Sequence, residues 1–182
     1  GGKRPVLGTN PVSIAVPGAE PPVTLDMATT VVARGKIRRA AAEDQPIAEG
    51  LALDADGRPT TDAHAALAGT LAPIGGPKGY GLALMIELLT GFFAGGSAAT
   101  ELGESSDFSR TAGTCFTLIA ARTDHLGEPD ARLAAITGMI RASGEPGEVL
   151  LPGEIEERRS AANRESGLSI PAKVRAEIDA LL

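Results

Sequence analysis

The chain is poor in cysteine, histidine and aromatic residues. Its 182 residues include one cysteine, two histidines, no tryptophan, one tyrosine and four phenylalanines. A single cysteine excludes a disulfide framework and a cysteine-rich metal site, and it fits the reducing cytoplasm. Cys115 lies in the run Cys115-Phe116-Thr117-Leu118-Ile119. This run predicts a buried strand in which the thiol packs and does not act as a nucleophile.

Long apolar runs and clustered basic residues are also lacking. The longest apolar stretch, residues 82–93, is interrupted by Glu87, and it falls short of the ~20 residues of a membrane span. The formal net charge is −6 and the basic residues are scattered. These features disfavour a membrane or a nucleic acid as partner. We therefore expect a cytoplasmic protein that binds a small molecule or another protein.

Local patterns alternate between short strands and helices. Val12-Ser13-Ile14-Ala15-Val16 and Val23-Thr24-Leu25 predict a hairpin, and further strands are predicted at 51–53, 116–121 and 148–151. Helices are predicted over residues 27–42, 62–67, 80–93 and 130–142, after Pro152-Gly153-Glu154 and from Pro171 onwards. Strand and helix do not alternate strictly, so we expect an α/β or α+β layered domain. Its sheet should be mixed, largely antiparallel and flanked by helices, without a Rossmann fold.

Two of the predicted helices have features that bear on the site and on packing. The helix over residues 80–93 is almost wholly apolar, which predicts a central, buried helix. The last helix carries Val174, Ile178 and Leu181 on one face.

Residues 95–110 are rich in glycine, serine and charge, which predicts a surface loop of the kind that often covers a site.

An acid and a lysine are the candidate ligand-binding residues. Asp26 follows a predicted strand, where it either caps the helix over 27–42 or contacts a ligand. Lys78 lies in Gly75-Gly76-Pro77-Lys78-Gly79-Tyr80-Gly81 at a predicted helix start. Backbone amides, the helix dipole and the ammonium group can together bind an anion such as a phosphate. The alternative for Lys78 is a flexible turn with a solvated side chain.

The common nucleotide-binding motifs do not fit this lysine. The Rossmann fingerprint begun by Gly79-Tyr80-Gly81 would need glycine or alanine where the chain has Leu84. The phosphate loop of nucleotide triphosphatases needs glycine before its lysine and a hydroxyl residue after it. Lys78 instead stands between Pro77 and Gly79. Any phosphate site here would therefore be of another type.

Metal and proton-transfer chemistry is equally disfavoured. The turn Asp54-Ala55-Asp56-Gly57 resembles a calcium loop, but its glycine comes too early and Ala65 stands where a bidentate glutamate is needed. We therefore predict no metal site. His64 lies in a short helix that Thr61 or Asp62 could cap, and His125 follows a predicted strand. Neither has a partner arrangement that indicates catalysis.

Six short motifs, taken together, resemble the malate/L-lactate dehydrogenase family, whose fold is not of the Rossmann type and which includes ureidoglycolate and sulfolactate dehydrogenases and reductases of cyclic imino acids. In chain order they are Gly8-Thr9-Asn10-Pro11, Leu25-Asp26-Met27-Ala28-Thr29, Ala33-Arg34-Gly35-Lys36, Leu53-Asp54-Ala55-Asp56-Gly57, Gly76-Pro77-Lys78-Gly79-Tyr80-Gly81 and Leu150-Leu151-Pro152-Gly153-Glu154. Each motif is weak alone, and their shared order makes the resemblance specific.

The resemblance implies an oxidoreductase that moves hydride between NAD or NADP and a small 2-hydroxy acid or 2-oxo acid. It also implies a homodimer with composite sites. Thr9 would lie towards the substrate. The residues that it places around the cofactor are Asp26, Met27, Ala28, Lys78, Leu151, Pro152, Gly153 and Glu154.

The resemblance begins midway along the family sequence. The histidine that exchanges a proton with the substrate belongs to the family's N-terminal half, so we expect no catalytic residue in this chain and little turnover by it alone. Residues 1–150 would form the cofactor-binding domain, and residues 151–182 a helical segment that packs on that N-terminal half. The alternative is a noncatalytic, truncated module for cofactor binding or assembly.

Overall fold

The computed structural model describes residues 2, 4–18, 21–103, 109 and 111–181. They form two compact units. The first comprises Gly1–Ser13 and Asp26–Arg122, and the second comprises Ile14–Leu25 and Thr123–Leu182. The predicted class is confirmed: the chain is an α/β protein in which helices accompany small sheets, and the two strand pairings of the three-stranded sheet are antiparallel.

The predicted hairpin is confirmed, but the helix that should follow it begins later. Strands β1 (Val12–Val16) and β2 (Val23–Met27) form a two-stranded sheet. Asp26 therefore lies within β2, and its prediction as an N-cap is wrong. Helix α1 (Arg34–Ala42) starts after Ala33 without a side-chain cap. Between β2 and α1 the chain bends and is held by backbone contacts: the amide of Val31 donates to the carbonyl of Ala72 at 2.8 Å, and Thr30 forms an isolated bridge with Pro73.

A second, three-stranded antiparallel sheet lies in the first unit. Its order is β4 (Pro59–Thr60), β3 (Ala52–Leu53) and β5 (Thr70–Leu71). Between β4 and β5 comes α2 (Ala63–Ala68), and of the two candidate caps, Thr61 and Asp62, the structure has Asp62. The carboxylate of Asp62 accepts from the amide of His64 at 2.8 Å. The strands β4 and β5 have two residues each, too few for a periodic pattern to reveal them.

The core of the first unit is small and rich in alanine. Ile37, on α1, is 1% exposed and is its largest apolar member. Ala52, Ala66 and Leu71 are the other buried members, and Val32, Ile47 and Leu67 pack against them. The core thus joins α1 and α2 to the three-stranded sheet.

The predicted apolar helix forms, but the prediction of its burial is wrong. Helix α3 (Pro77–Glu87) continues as a π-helix over Leu88–Phe93. Its buried residues recur every four positions and are Gly79, Ala83, Glu87 and Gly91. Large apolar residues on its other sides remain open, and Phe92 and Phe93 are 80% and 77% exposed. The buried side of this helix is therefore a narrow stripe of three small residues and Glu87.

Two predicted strands are absent from the described residues. Residues 116–121 and 148–151 have no strand assignment, and Phe116 and Leu118 are 82% and 94% exposed. A strand needs a neighbour that completes its hydrogen-bonded ladder, and the described part of the chain supplies none here. Cys115 is half-buried, not buried. Of the predicted loop over 95–110, residues 104–108 and 110 lie outside the described residues.

The second unit contains the three remaining α-helices. These are α4 (Pro129–Arg141), α5 (Glu154–Ser166) and α6 (Ala172–Asp179), and each was predicted. Short 3₁₀ turns occur at Ala99–Glu101 in the first unit and Asp124–Leu126 in the second. Within the described ranges, no helix is both long enough and apolar enough to cross a membrane.

Candidate functional site

Hydrogen bonds connect three of the predicted site segments within the first unit. The carbonyl of Thr9 accepts from the amide of Thr29 at 2.9 Å and from its hydroxyl at 3.0 Å. Thr29 follows Asp26-Met27-Ala28 and is 1% exposed. Its own carbonyl accepts from the amide of Ile74 at 3.0 Å. The path therefore runs from the candidate substrate residue to the turn that precedes Lys78.

An open cleft of about 250 Å³ lies at the start of α3. It is lined by Ile74, Gly75, Lys78, Gly79 and Leu82. The predicted place of Lys78 at a helix N-terminus is confirmed, but the helix begins at Pro77 and not at residue 80, so Lys78 is its second residue; its side chain is exposed. No ion pair of Lys78 occurs among the residues that the structure describes. Its ammonium charge is therefore available at the positive end of the helix dipole.

Two glycines shape the approach to this cleft. Gly76 has φ of +60° and faces open space where a side chain would begin. Gly79 lies so close to the preceding turn that a Cβ there would be 2.1 Å from the carbonyl oxygen of Ile74. Only glycine allows the helix to approach the turn this closely. The glycine-rich sequence therefore fixes the position of Lys78 relative to the chain before it.

The structure reveals a buried polar pair that the sequence interpretation missed. The side-chain amide of Asn10 donates to the carbonyl of Ala83 at 2.9 Å and to a carboxylate oxygen of Glu87 at 2.8 Å. Glu87 is 7% exposed and also accepts from the amide of Ala99. A glutamate within an apolar helix indicates a buried partner, and this was the available signal. The pair fixes the segment beside Thr9 against α3.

Asp26, Met27 and Ala28 lie at and just beyond the end of β2. The side chain of Asp26 is exposed, while Met27 and Ala28 are half-buried. No hydrogen bond or ion pair joins Asp26 to Lys78 in the described ranges. The two segments are connected through the backbone contact of Thr29 with Ile74. An exposed carboxylate beside a fixed backbone can accept hydrogen bonds from hydroxyl groups.

Within the second unit, Leu151, Pro152 and Gly153 form a turn before α5. The amide of Thr24 donates to the carbonyl of Pro152 at 3.1 Å. Gly153 has φ of +94°, and a Cβ there would lie 3.0 Å from the carbonyl oxygen of Thr24. The turn thus depends on glycine for its conformation and for its close approach to β2.

Glu154, the first residue of α5, is the most heavily engaged of the predicted residues. Its carboxylate accepts from the amide of Leu151 at 2.8 Å and pairs with the guanidinium of Arg141. These hydrogen bonds, first that of Arg141 and then that of Leu151, hold the pKa of Glu154 below its usual value. The same pairing raises the pKa of Arg141. Arg141 was not singled out from the sequence, because partners 13 positions apart across a turn follow no helical spacing.

The two histidines have exposed surroundings. His64 lies 3.1 Å from a carboxylate oxygen of Asp44, and His125 is exposed in a 3₁₀ turn. Neither histidine is among the residues that line the cleft. Among the described residues, no group of three or more histidine, cysteine, aspartate or glutamate side chains is placed to hold a metal ion.

The fold is that of an α/β protein with small antiparallel sheets. The amino-acid sequence identifies the family to which the chain belongs. Residues 1–179 match the malate/L-lactate dehydrogenase family. The chain belongs to this family, which confirms the resemblance of the six motifs.

Individual relatives support the same assignment. The chain is 37% identical over 174 residues to an L-sulfolactate dehydrogenase of Methanothermobacter thermautotrophicus, covering 96% of the chain and 51% of that relative. It is 41% identical over 175 residues to a (2R)-3-sulfolactate dehydrogenase (NADP(+)) of Chromohalobacter salexigens, with coverages of 93% and 50%. A crystal structure of a dehydrogenase from Sinorhizobium meliloti matches with a TM-score of 0.84 and 36% identity, over 99% of this chain and 54% of that one. The chain thus spans about half the length of the curated relatives it matches.

Proposed function

We propose that the chain supplies the nicotinamide-binding part of an oxidoreductase that transfers hydride between NAD or NADP and a small 2-hydroxy acid or 2-oxo acid. The observation that carries the proposal is the cleft at the start of α3, which Lys78 lines. Within the described residues, the ammonium group of Lys78 forms no ion pair. Because the chain belongs to a dehydrogenase family, we propose a nicotinamide cofactor as the ligand of this cleft. The proposed substrate contact is Thr9.

The donor set at the cleft fits the phosphates of a dinucleotide. The exposed Lys78 stands at the N-terminus of an 11-residue helix, where the dipole and the ammonium group favour an anion. Gly75 and Gly76 both have positive φ, and no heavy atom lies within 4 Å of the Cβ position at Gly76. A phosphate group can therefore approach the backbone here without meeting a side chain.

The other proposed contacts have complementary roles. Asp26 would accept hydrogen bonds from ribose hydroxyls, with Met27 and Ala28 beside it. A carboxylate at the adenosine ribose would repel a 2′-phosphate and so favour NAD over NADP. From the second unit we propose Leu151, Pro152, Gly153 and Glu154 as further cofactor contacts. The cofactor supplies the hydride chemistry, while these residues bind and orient it.

We assign no proton-transfer residue to this chain, since both histidines are exposed and neither lines the cleft. We further propose that residues 1–150 act as the cofactor-binding domain, that residues 151–182 act as a helical packing segment, and that the protein works as a cytoplasmic homodimer. Exposed apolar side chains such as Phe92 and Phe116 support an assembled form, because large exposed apolar patches mark interaction sites.

The test is a fluorescence titration of the 182-residue chain with NADH. We expect saturable binding that weakens about tenfold or more in Lys78→Ala, because a charge-assisted contact to a phosphate is lost. Arg38→Ala is the matched control, since Arg38 is an exposed basic residue on α1 of the same unit. Equal binding by Lys78→Ala and the parent chain would contradict the proposed site.

The second candidate is a noncatalytic assembly module, which the exposed apolar residues favour. Absence of NADH binding together with concentration-dependent self-association would support it. NADH-dependent reduction of a panel of 2-oxo acids then separates a bound but inactive chain from an active one. We expect little or no turnover by the chain alone, because it holds no proposed proton-transfer residue.

A further inference from the structure

An ion pair joins the ends of two helices in the second unit. Arg141 is the last residue of α4 and Glu154 is the first residue of α5. Two guanidinium nitrogens donate, each to a different carboxylate oxygen, and the longer of the two contacts is 3.3 Å. Each charge also lies at the helix end where the dipole stabilises it. The pair therefore fastens the connection between the helices by a two-point contact, which fixes geometry as well as charge.

The same carboxylate holds the turn that contains three of the proposed cofactor contacts. One of its oxygens accepts from the amide of Leu151 at 2.8 Å, and the backbone amide of Glu154 donates to the carbonyl of Leu151 at 3.2 Å. The amide of Thr24 also donates to the turn, at the carbonyl of Pro152. The side-chain hydrogen bonds of Arg141 both go to Glu154, so its hydrogen-bonded connection to the turn passes through that carboxylate.

We propose that Arg141 is a positioning residue that holds Leu151, Pro152 and Gly153 in their cofactor-binding conformation through the carboxylate of Glu154. This inference rests on the proposed function for its connection to the cofactor. The guanidinium supplies the fixed anchor, and the carboxylate transmits the constraint to the amide of Leu151. Loss of the anchor frees the carboxylate to rotate and leaves that amide without its partner.

Burial distinguishes this pair from the ordinary surface ion pairs of the chain. The side chains of Arg141 and Glu154 are 45% and 17% exposed, whereas those of Arg175 and Asp179, which pair on α6, are 66% and 53% exposed. Exposed ion pairs contribute little because water and salt screen them. Arg175→Met is therefore a matched control: it removes the same charge from an ion pair in the same unit that touches no proposed contact.

The first experiment measures hydrogen exchange at the amide of Leu151 in the cofactor-free chain. We expect exchange about fivefold or more faster in Arg141→Met and in Glu154→Gln, with Arg175→Met unchanged. The double variant Arg141→Met/Glu154→Gln should match the single variants, because all three remove one interaction. Arg141→Lys should restore part of the protection, and it also serves if Arg141→Met fails to fold by circular dichroism.

The second experiment measures NADH affinity in the same variants. We expect the dissociation constant to rise about threefold to tenfold in Arg141→Met and to stay unchanged in Arg175→Met. The exchanged pair Arg141→Glu/Glu154→Arg keeps an ion pair but leaves the amide of Leu151 without an acceptor, so it should not restore either property. Restoration by the exchanged pair would overturn the proposed route through the carboxylate.

The two experiments separate this inference from the proposed function. If the parent chain binds no NADH, the proposed function fails, and hydrogen exchange at Leu151 still decides whether Arg141 holds the turn. If Lys78→Ala weakens NADH binding while Arg141→Met changes neither exchange nor affinity, the site stands and the positioning role of Arg141 is wrong. If Arg141→Met speeds exchange at Leu151 but leaves NADH affinity unchanged, the inference that Arg141 positions the turn for the cofactor is also overturned.

Discussion

The amide side chain of Asn10 donates a 2.8 Å hydrogen bond to the carboxylate of Glu87, 77 positions later in the chain. Asn10 has φ of +36°, a left-handed conformation that asparagine tolerates better than most residues. Its second hydrogen bond goes to the carbonyl of Ala83, one turn earlier on α3. One side chain thus fixes the Gly-Thr-Asn-Pro segment against the helix that begins at the candidate cofactor cleft.

Removal of this amide should destabilise the first unit. We expect Asn10→Ala to lower the free energy of unfolding by about 1–3 kcal/mol, because a buried carboxylate loses a donor. Asn10→Asp should cost more at neutral pH than in acid, since it places two carboxylates together. Urea denaturation measures both. Asn163→Ala, at an exposed position on α5, is the control, and an equal loss in that variant would contradict the prediction.

Two glycines on α3 should respond to alanine in opposite directions. Gly79→Ala should cost about 2 kcal/mol or more, because its Cβ would overlap the carbonyl oxygen of Ile74. Gly81→Ala meets nothing within 4 Å, and it should stabilise the helix by about 0.5–1 kcal/mol. Thermal unfolding of the two variants checks the prediction. Similar shifts of Tm in both would show that the close approach at Gly79 is not maintained in solution.

The contribution of Glu154 to stability should depend on pH. Its folded-state pKa lies below its ordinary value of 4.5 because of Arg141 first, then the amide of Leu151, with a smaller effect of Arg158. The stabilisation is therefore fully present above that ordinary value, and it is lost as the pH falls through the lowered folded pKa. The parent chain should exceed Glu154→Gln in urea stability at pH 7, and the difference should shrink in acid. A difference that stays constant down to pH 2 would exclude this linkage.

The exposed apolar surface of the first unit should drive self-association. The hydroxyl of Thr117 donates to the carbonyl of Leu89 at 2.7 Å, which places the exposed 116–119 segment along the helix that bears Phe92. Phe92→Ser/Phe116→Ser should therefore lower the mass measured by light scattering at a given concentration. Leu168→Ser is the control, because it removes a single exposed apolar side chain of the second unit. It should lower the measured mass less than the double variant does.

The parts that could be predicted from the sequence are those that local chemistry determines. Asp62 caps α2, and Pro77 and Lys78 begin α3, because the groups involved are close neighbours along the chain. The order of short motifs likewise identified the family, since it needs no tertiary information. The existence of the α-helices was therefore more predictable than their burial.

The failures arose where distant segments decide the outcome. Asp26 lies in a strand that pairs with β1, and the helix starts only at Arg34, because Thr29 and Val31 between them form backbone hydrogen bonds with distant segments. Residues 116–121 have strand-forming side chains but no ladder in the described structure, since propensity alone does not provide a partner. The Asn10–Glu87 and Arg141–Glu154 pairs are long-range, and only the fold brings their members together.

The carbonyl of Thr9 has both of its acceptor positions occupied by Thr29. In the proposed site, the hydroxyl is the side-chain group of Thr9 that would meet a substrate. A hydroxyl can donate to the ketone of a 2-oxo acid and accept from the alcohol of a 2-hydroxy acid. Simple rotation of one hydrogen atom would thus let the same residue serve both directions of a reversible redox reaction.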